Sequence, residues 1–248
     1  MVRKIRKAMS LGLVMFVVLG LGMTAHGMKT ADEALTLLKN GNERFVEGSS
    51  AQPRNAVEKK NMENNAAQDG YAFATILSCA DSRVPVERIF DAKIMDVFVV
   101  RVAGNVISND VTASIEYGVV AVHTPIVVIL GHTDCGAVGA AALEVKSQSG
   151  EITISPAVDS LLERIKPAVR TVKKEHPELK EKALWEASIK QNVWLALEDL
   201  FRASQPISDL YGKGMVRIIC AEYNMSTGKV KWFEEKKVQD IYRRVMAE

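Results

Sequence analysis

An α/β fold is predicted for this chain, with a mainly parallel central β-sheet flanked by helices, an N-terminal helical arm and a C-terminal hairpin at the sheet edge. Three observations predict it. Residues 73–78, 96–102 and 126–130 are short runs with apolar centres, as strands covered on both faces are. Helical patterns separate these runs, and strand–helix alternation is the signature of parallel pairing. The first and third runs each lead into a loop rich in cysteine, histidine and acidic side chains, and parallel sheets bind ligands beyond the carboxyl ends of their strands.

The arm begins at Thr30, where Thr30 and Glu33 have the spacing of a capping box. It opens a helix whose apolar stripe is Ala34, Leu35, Leu37, Leu38 and Phe45, and Gly48 ends it. Residues 53–67 are polar and read as a second, surface helix. After the strand at 73–78, Pro85 stands in the first turn of a short helix reaching Phe90. The strand at 96–102 is expected to be buried, and Ala103, Gly104 and Asn105 break it. Ser108 can cap the next helix, which runs through Ile115, Tyr117, Val119 and Val122. The strand at 126–130 follows. Two long helices are expected over 156–176 and 179–203, with Pro177 between them. A strand at 215–221, a turn at Ser226, Thr227 and Gly228, and a partner at 229–233 complete the sheet with a hairpin.

The 248 residues are 48% hydrophobic and 25% charged, the balance of an ordinary globular protein able to bury one sizeable core. Residues 1–27 stand apart. Arg3, Lys4, Arg6 and Lys7 precede an uncharged run over 8–25, and small residues follow at Ala25 and Gly27. That is the pattern of an export signal cleaved after Gly27, and the competing reading is a retained membrane anchor. Cleavage would leave 28–248 as a single domain, periplasmic or secreted, with no membrane association. It would also remove four basic residues, taking the formal charge from +2 to two below neutrality. No basic cluster remains on the folded part to make a nucleic-acid footprint.

The chemistry lies in two loops, Cys79-Ala80-Asp81-Ser82-Arg83 and His132-Thr133-Asp134-Cys135. Two thiolates and one imidazole form the ligand set of a catalytic zinc site with an open fourth position. A Cys79–Cys135 disulfide is the alternative for an exported protein, but it leaves Asp81, Arg83 and His132 unexplained. The expected cofactor is therefore one zinc ion per subunit, which makes bound water a nucleophile near neutral pH. Two anionic sulfurs offset the charge of the ion, so activity is expected to rise on the alkaline side of neutrality. Asp81 is either a fourth ligand or a neighbouring proton acceptor, and Arg83 can hold its carboxylate through a two-pronged pair. Gly136 and the small residues after it start a helix whose free amides face the metal and any anion beside it. His26 falls in the export segment, His123 and His176 close helices, and Cys220 reads as a buried apolar residue.

The paired motifs CADSRVPVE and HTDCGAVGA resemble those of the β-class carbonic anhydrases, and the resemblance covers most of the chain after the export segment, most densely over 73–142. It implies reversible hydration of carbon dioxide to bicarbonate and a proton. Zinc ligation falls to Cys79, His132 and Cys135, and a metal-gating or proton-handling dyad to Asp81 and Arg83. It further implies substrate-pocket roles for Phe98 and Tyr117 across a dimer interface, with Gln68 the nearest match to a bicarbonate-binding glutamine. A homodimer or homotetramer is expected, its N-terminal arm wrapping the neighbour. A hydrolase of carbonyl sulfide or carbon disulfide on the same scaffold, or a non-catalytic zinc-binding module, are the alternatives.

Overall fold

A computed structural model describes residues 29–51, 70–143 and 155–248. The expected export segment, the second arm helix and Gln68 lie outside the described residues.

Helix α1, Ala31–Glu47, starts on the expected capping box: the Thr30 hydroxyl accepts from the Glu33 amide, and the Glu33 carboxylate accepts from the Thr30 amide. Gly48 closes it in the left-handed conformation, with φ 70°. Ala34, Leu35 and Leu38 are buried, but Leu37 is 38% exposed and does not belong to the stripe. The buried face includes Gly41 and Asn42 instead, because the helix docks on backbone. Asn42 donates to the carbonyls of Ile89 and Gly228 and accepts from the Val230 amide. Arg44 pairs with Asp91 at 2.5 Å. The described part of the arm is thus seated on its own chain.

A β-carbon at position 41 would stand 1.9 Å from the Phe90 carbonyl oxygen, a backbone atom. Gly41→Ala is therefore expected to destabilise the fold by about 3 kcal/mol or more through overpacking. Equilibrium denaturation checks this, and an unchanged midpoint would contradict the docking of α1.

Strand β1, Ala74–Ser78, is buried throughout and leads through a loop to the short helix α2, Val86–Ile89, with Pro85 at its N-cap. Strand β2, Val97–Arg101, differs from expectation: only Val100 is fully buried. The strand order β2-β1-β3-β4-β5 explains it, since β2 lies at the sheet edge with one neighbour. A 3-10 turn at Ala103–Asn105 follows, then helix α3, Asn109–Glu116. Ser108 occupies the N-cap of α3, but its hydroxyl makes no capping bond.

The expected continuous helix through Val122 instead widens into a π-helical turn at Tyr117–Ala121. Thr124 accounts for this, because its hydroxyl and amide both donate to the Gly118 carbonyl and draw it from the helical ladder. The Thr75 and Thr124 hydroxyls are 2.7 Å apart, so the turn is tied to β1.

Strand β3, Ile126–His132, is buried along all seven residues and runs two residues further than its apolar sequence predicts, which makes His132 a strand residue. Helices α4, Gly136–Ala142, α5, Pro156–Glu175, and α6, Glu181–Ala203, come next. Helix α7, Gln205–Gly212, was not expected; the Ser204 hydroxyl caps it. Strand β4, Arg217–Tyr223, pairs parallel with β3, and β5, Val230–Trp232, pairs antiparallel with β4 as the edge hairpin. Helix α8, Glu235–Met246, also unexpected, ends the chain.

Alternating strand residues build two cores. Leu77, Val127, Ile129 and Ile218 face Val193, Leu197 and Phe201 of α6. Ile76, Val128, Leu130 and Ile219 face Leu38 of α1 and Ile89 and Phe90 beside α2. A third cluster joins α4, α5 and α6 around Cys79 and Cys135. Beyond the carboxyl ends of β1 and β3, this cluster encloses the polar loops. No helix of the described residues is long and apolar enough to cross a membrane.

Candidate metal centre

Cys79 directly follows β1, His132 ends β3 and Cys135 caps α4, and their ligand atoms lie within 4.8 Å of one another. Parallel pairing of β1 with β3, Ser78 beside Leu130, brings the two loops together. Between the second and third ligands the chain turns sharply, with Asp134 at φ 53°, a left-handed conformation that aspartate tolerates better than most residues. Thr133 fixes this turn to the end of β4. Its amide donates to the Tyr223 carbonyl, and its hydroxyl accepts from the Met225 amide.

The donor set fits zinc. Two sulfurs bound at ~2.3 Å to a tetrahedral ion stand about 3.8 Å apart; Cys79 Sγ and Cys135 Sγ are 4.0 Å apart. A disulfide needs ~2.0 Å, and both cysteines are free, as is Cys220. His132 is fully buried, and its Nδ1 lies 2.9 Å from the Thr133 carbonyl oxygen. A carbonyl only accepts, so Nδ1 carries the proton and the Nε2 lone pair is left for a ligand. Nε2 is one of the few buried polar atoms without a hydrogen-bond partner among the described residues. A metal ion supplies what that atom lacks.

The sulfurs are unequal. Cys79 is held well below the usual thiol range, first because Cys135 hydrogen-bonds to it, then through the backbone at Asp81 and Gly104. Its hydrogen bond from the Gly104 amide is 3.3 Å long. Cys135 is pushed upward by the same contact with Cys79 and by burial. A dication bound to both sulfurs would be held by thiolates, so its binding would release the remaining thiol proton.

Asp81 is not part of the cluster and is paired with Arg83. Arg83 Nε and Nη2 donate to its two carboxylate oxygens at 2.9 and 2.7 Å, and the Arg83 amide adds a third bond at 2.9 Å. This pairing holds the Asp81 carboxyl well below the usual carboxylate range. Arg83 also donates to the Asp134 carbonyl, joining the two ligand loops. Of the two roles open to Asp81, the geometry shows the carboxylate paired with arginine.

Gly136 opens α4 and is exposed, with open space where a β-carbon would lie. Phe98 and Tyr117 pair with each other at the β2 edge, ring centroids 6.0 Å apart, and Tyr117 is 54% exposed. Cys220 is wholly buried, and burial pushes its thiol upward.

Sequence reasoning missed four supporting residues. Arg101 donates to the carbonyls of Cys79 and Asp81. Gly104 presents its amide to Cys79, and Trp185 and Asn192 of α6 donate to backbone carbonyls of the site. The Gly104 signal was present in the sequence, since a glycine at a strand end often marks left-handed backbone; the other three form contacts too remote in sequence to leave a local pattern.

Comparison with known proteins gives a consistent result. A family model described as carbonic anhydrase matches residues 74–230. A carbonic anhydrase of Mycolicibacterium smegmatis is 34% identical over 194 residues, 78% of this chain and 89% of the relative. Carbonic anhydrase 2 of Mycobacterium tuberculosis is 42% identical over 132 residues, 53% of this chain and 61% of that protein. Among solved structures, a tetrameric β-carbonic anhydrase of Sordaria macrospora superposes with a TM-score of 0.60 at 21% identity, covering 78% of this chain and 93% of that one. The Coccomyxa β-carbonic anhydrase gives 0.61 at 21%, with 80% and 86% covered. At such identities the structural likeness concerns the fold.

Proposed function

This chain belongs to the β-class carbonic anhydrases and catalyses the reversible hydration of carbon dioxide to bicarbonate and a proton; we propose that it does so with one zinc ion per subunit, held by Cys79, His132 and Cys135. The observation that carries the zinc assignment is the buried, unpartnered His132 Nε2 beside two sulfurs at tetrahedral spacing. When bound, zinc supplies a Lewis acid that acidifies water near neutral pH.

The remaining work falls to the chain. Arg83 keeps the Asp81 carboxylate ionised and paired, so that it would not compete with water for zinc held by the two cysteines and His132. A carboxylate so strongly stabilised in its charged form is a poor proton store, so Asp81 acts by accepting a hydrogen bond and orienting its donor. The Gly136 amide, at the start of α4, would serve an anionic product as a backbone donor. Phe98 and Tyr117 supply an apolar wall suited to carbon dioxide, which has no charge to solvate.

The experiment is metal analysis of the purified protein combined with stopped-flow carbon dioxide hydration across a pH series. Near-stoichiometric zinc with turnover rising on the alkaline side is the expected result. Turnover confined to carbonyl sulfide or carbon disulfide would overturn the substrate assignment.

The assembly is a homodimer or homotetramer in which a second copy covers the β2 edge. The exposed Tyr117 and half-buried Val97, Phe98 and Val99 support it. Sedimentation at micromolar concentration tests this, and a monomer would exclude it. Residues 1–27 act as an export signal, leaving 28–248 as one periplasmic or secreted domain. Terminal sequencing of the cell-fractionated protein would find Met28 first if this is right and Met1 if it is not.

A further inference from the structure

Helix α6 touches the metal loops at two points on one face. Trp185 and Asn192 are seven residues apart, two helical turns, so they project to the same side. Trp185 Nε1 donates to the Cys135 carbonyl at 2.9 Å. Its ring lies against the middle of α4, where a β-carbon at Gly139 would stand 2.7 Å from Cε2 of the indole. Asn192 Nδ2 donates to the Gly104 carbonyl at 2.7 Å, and the Gly104 amide in turn donates to Cys79 Sγ at 3.3 Å. Gly104 has φ 70°, and a β-carbon there would meet Ile165 Cδ1 at 2.6 Å, so the turn is held from both sides.

We propose that Trp185 and Asn192 are positioning residues for the metal: α6 sets metal affinity by pinning the Cys135 loop through one and the amide that faces the Cys79 sulfur through the other. The proposal rests on the zinc reading above. The orientation of Asn192 is fixed, because a carbonyl can only accept and Nδ2 must face Gly104. Its Oδ1 is then left without a hydrogen-bond partner among the described residues, although Asn192 is 1% exposed. An apolar residue would not carry that unpaired oxygen, so packing alone does not account for asparagine here. The bond to Gly104 does. Groups that orient metal ligands through a second layer of hydrogen bonds commonly change metal affinity when removed.

The test measures zinc affinity by chelator competition and the absorption spectrum of cobalt-substituted protein. Asn192→Leu keeps the branched outline and removes the donor; Trp185→Phe keeps a ring over Gly139 and removes the other donor. Ser188→Ala is the control, since its buried hydroxyl bonds only to Leu184 within α6. Each of the first two variants is expected to weaken zinc binding about 10- to 100-fold. Asn192→Leu should also move the sulfur-to-cobalt charge-transfer band to longer wavelength, because a sulfur that loses an N–H donor gives up electrons more readily. The control should match the parent in both. Affinities within twofold of the parent in both variants, or an equal loss in Ser188→Ala, would overturn the proposal. If Asn192→Leu does not fold, Trp185→Phe alone decides. A parent protein that binds no zinc would sink the reading beneath the proposal, a result distinct from variants that bind as the parent does.

Discussion

His132→Ala is expected to empty the metal site and to lower carbon dioxide hydration at least about a thousandfold, since a Lewis acid contributes several kcal/mol to the transition state and each 1.4 kcal/mol is a factor of ten. The expectation follows from how His132 is built in. Its Nδ1 is committed to the Thr133 carbonyl, and its Nε2 is buried with no hydrogen-bond partner among the described residues. Two sulfurs 4.0 Å apart then remain with no third donor, because the Asp81 carboxylate is engaged by Arg83. Cys79 keeps the hydrogen bond from Gly104, but two sulfurs without an imidazole would leave a dication only two protein donors. Zinc stoichiometry and stopped-flow turnover check the result. A variant that retains about one zinc per chain and turns over within tenfold of the parent would remove His132 from the ligand set.

The cluster of Cys79, His132 and Cys135 was legible in the sequence because the two loops that carry it begin at strand ends, where an apolar run stops and a chemically rich loop begins. The same logic placed β1 and β3 correctly. It failed for the burial of β2, because a run such as Val97-Phe98-Val99 reads alike in the centre of a sheet and at its edge; position in the strand order is a property of the whole fold. The π-turn at Tyr117–Ala121 escaped for a related reason, since Thr124 acts on Gly118 across a bend that periodicity does not register. Helices α7 and α8 were legible in part. Ser204 with Pro206 is a helix start, and Val238, Ile241 and Val245 fall at helical spacing, although the surrounding charges hide the stripe. The supports of the site were the least visible. Asn192 and Gly104 are 88 residues apart, and no local pattern announces a bond of that range. Leu37 shows the limit from the other side, as an apolar residue at nearly the right angle that the docking of α1 leaves exposed.

Arg83→Ala is expected to separate metal binding from turnover: zinc stays near one per chain while hydration falls about 100-fold or more, the scale on which misplacing an orienting group acts. The three ligands do not involve Arg83, so the metal has no reason to leave. What changes is Asp81. Its carboxylate is held by two side-chain bonds and one backbone bond from Arg83, and alanine preserves only the backbone bond. The freed carboxylate, two residues from Cys79, would be an anionic donor able to compete with water for a zinc ion that Cys79, His132 and Cys135 would hold. The two ligand loops also lose the tie from Arg83 to the Asp134 carbonyl. Arg83→Lys should fall between parent and alanine, because an ammonium supplies charge but not the planar fork that meets both carboxylate oxygens. If the pair acts as one unit, the double variant Asp81→Ala with Arg83→Ala will be no worse than the more damaging single change. Turnover of Arg83→Ala within threefold of the parent would show that the ion pair is only a loop fastening. Loss of zinc together with turnover would show that Arg83 serves the metal rather than the water position.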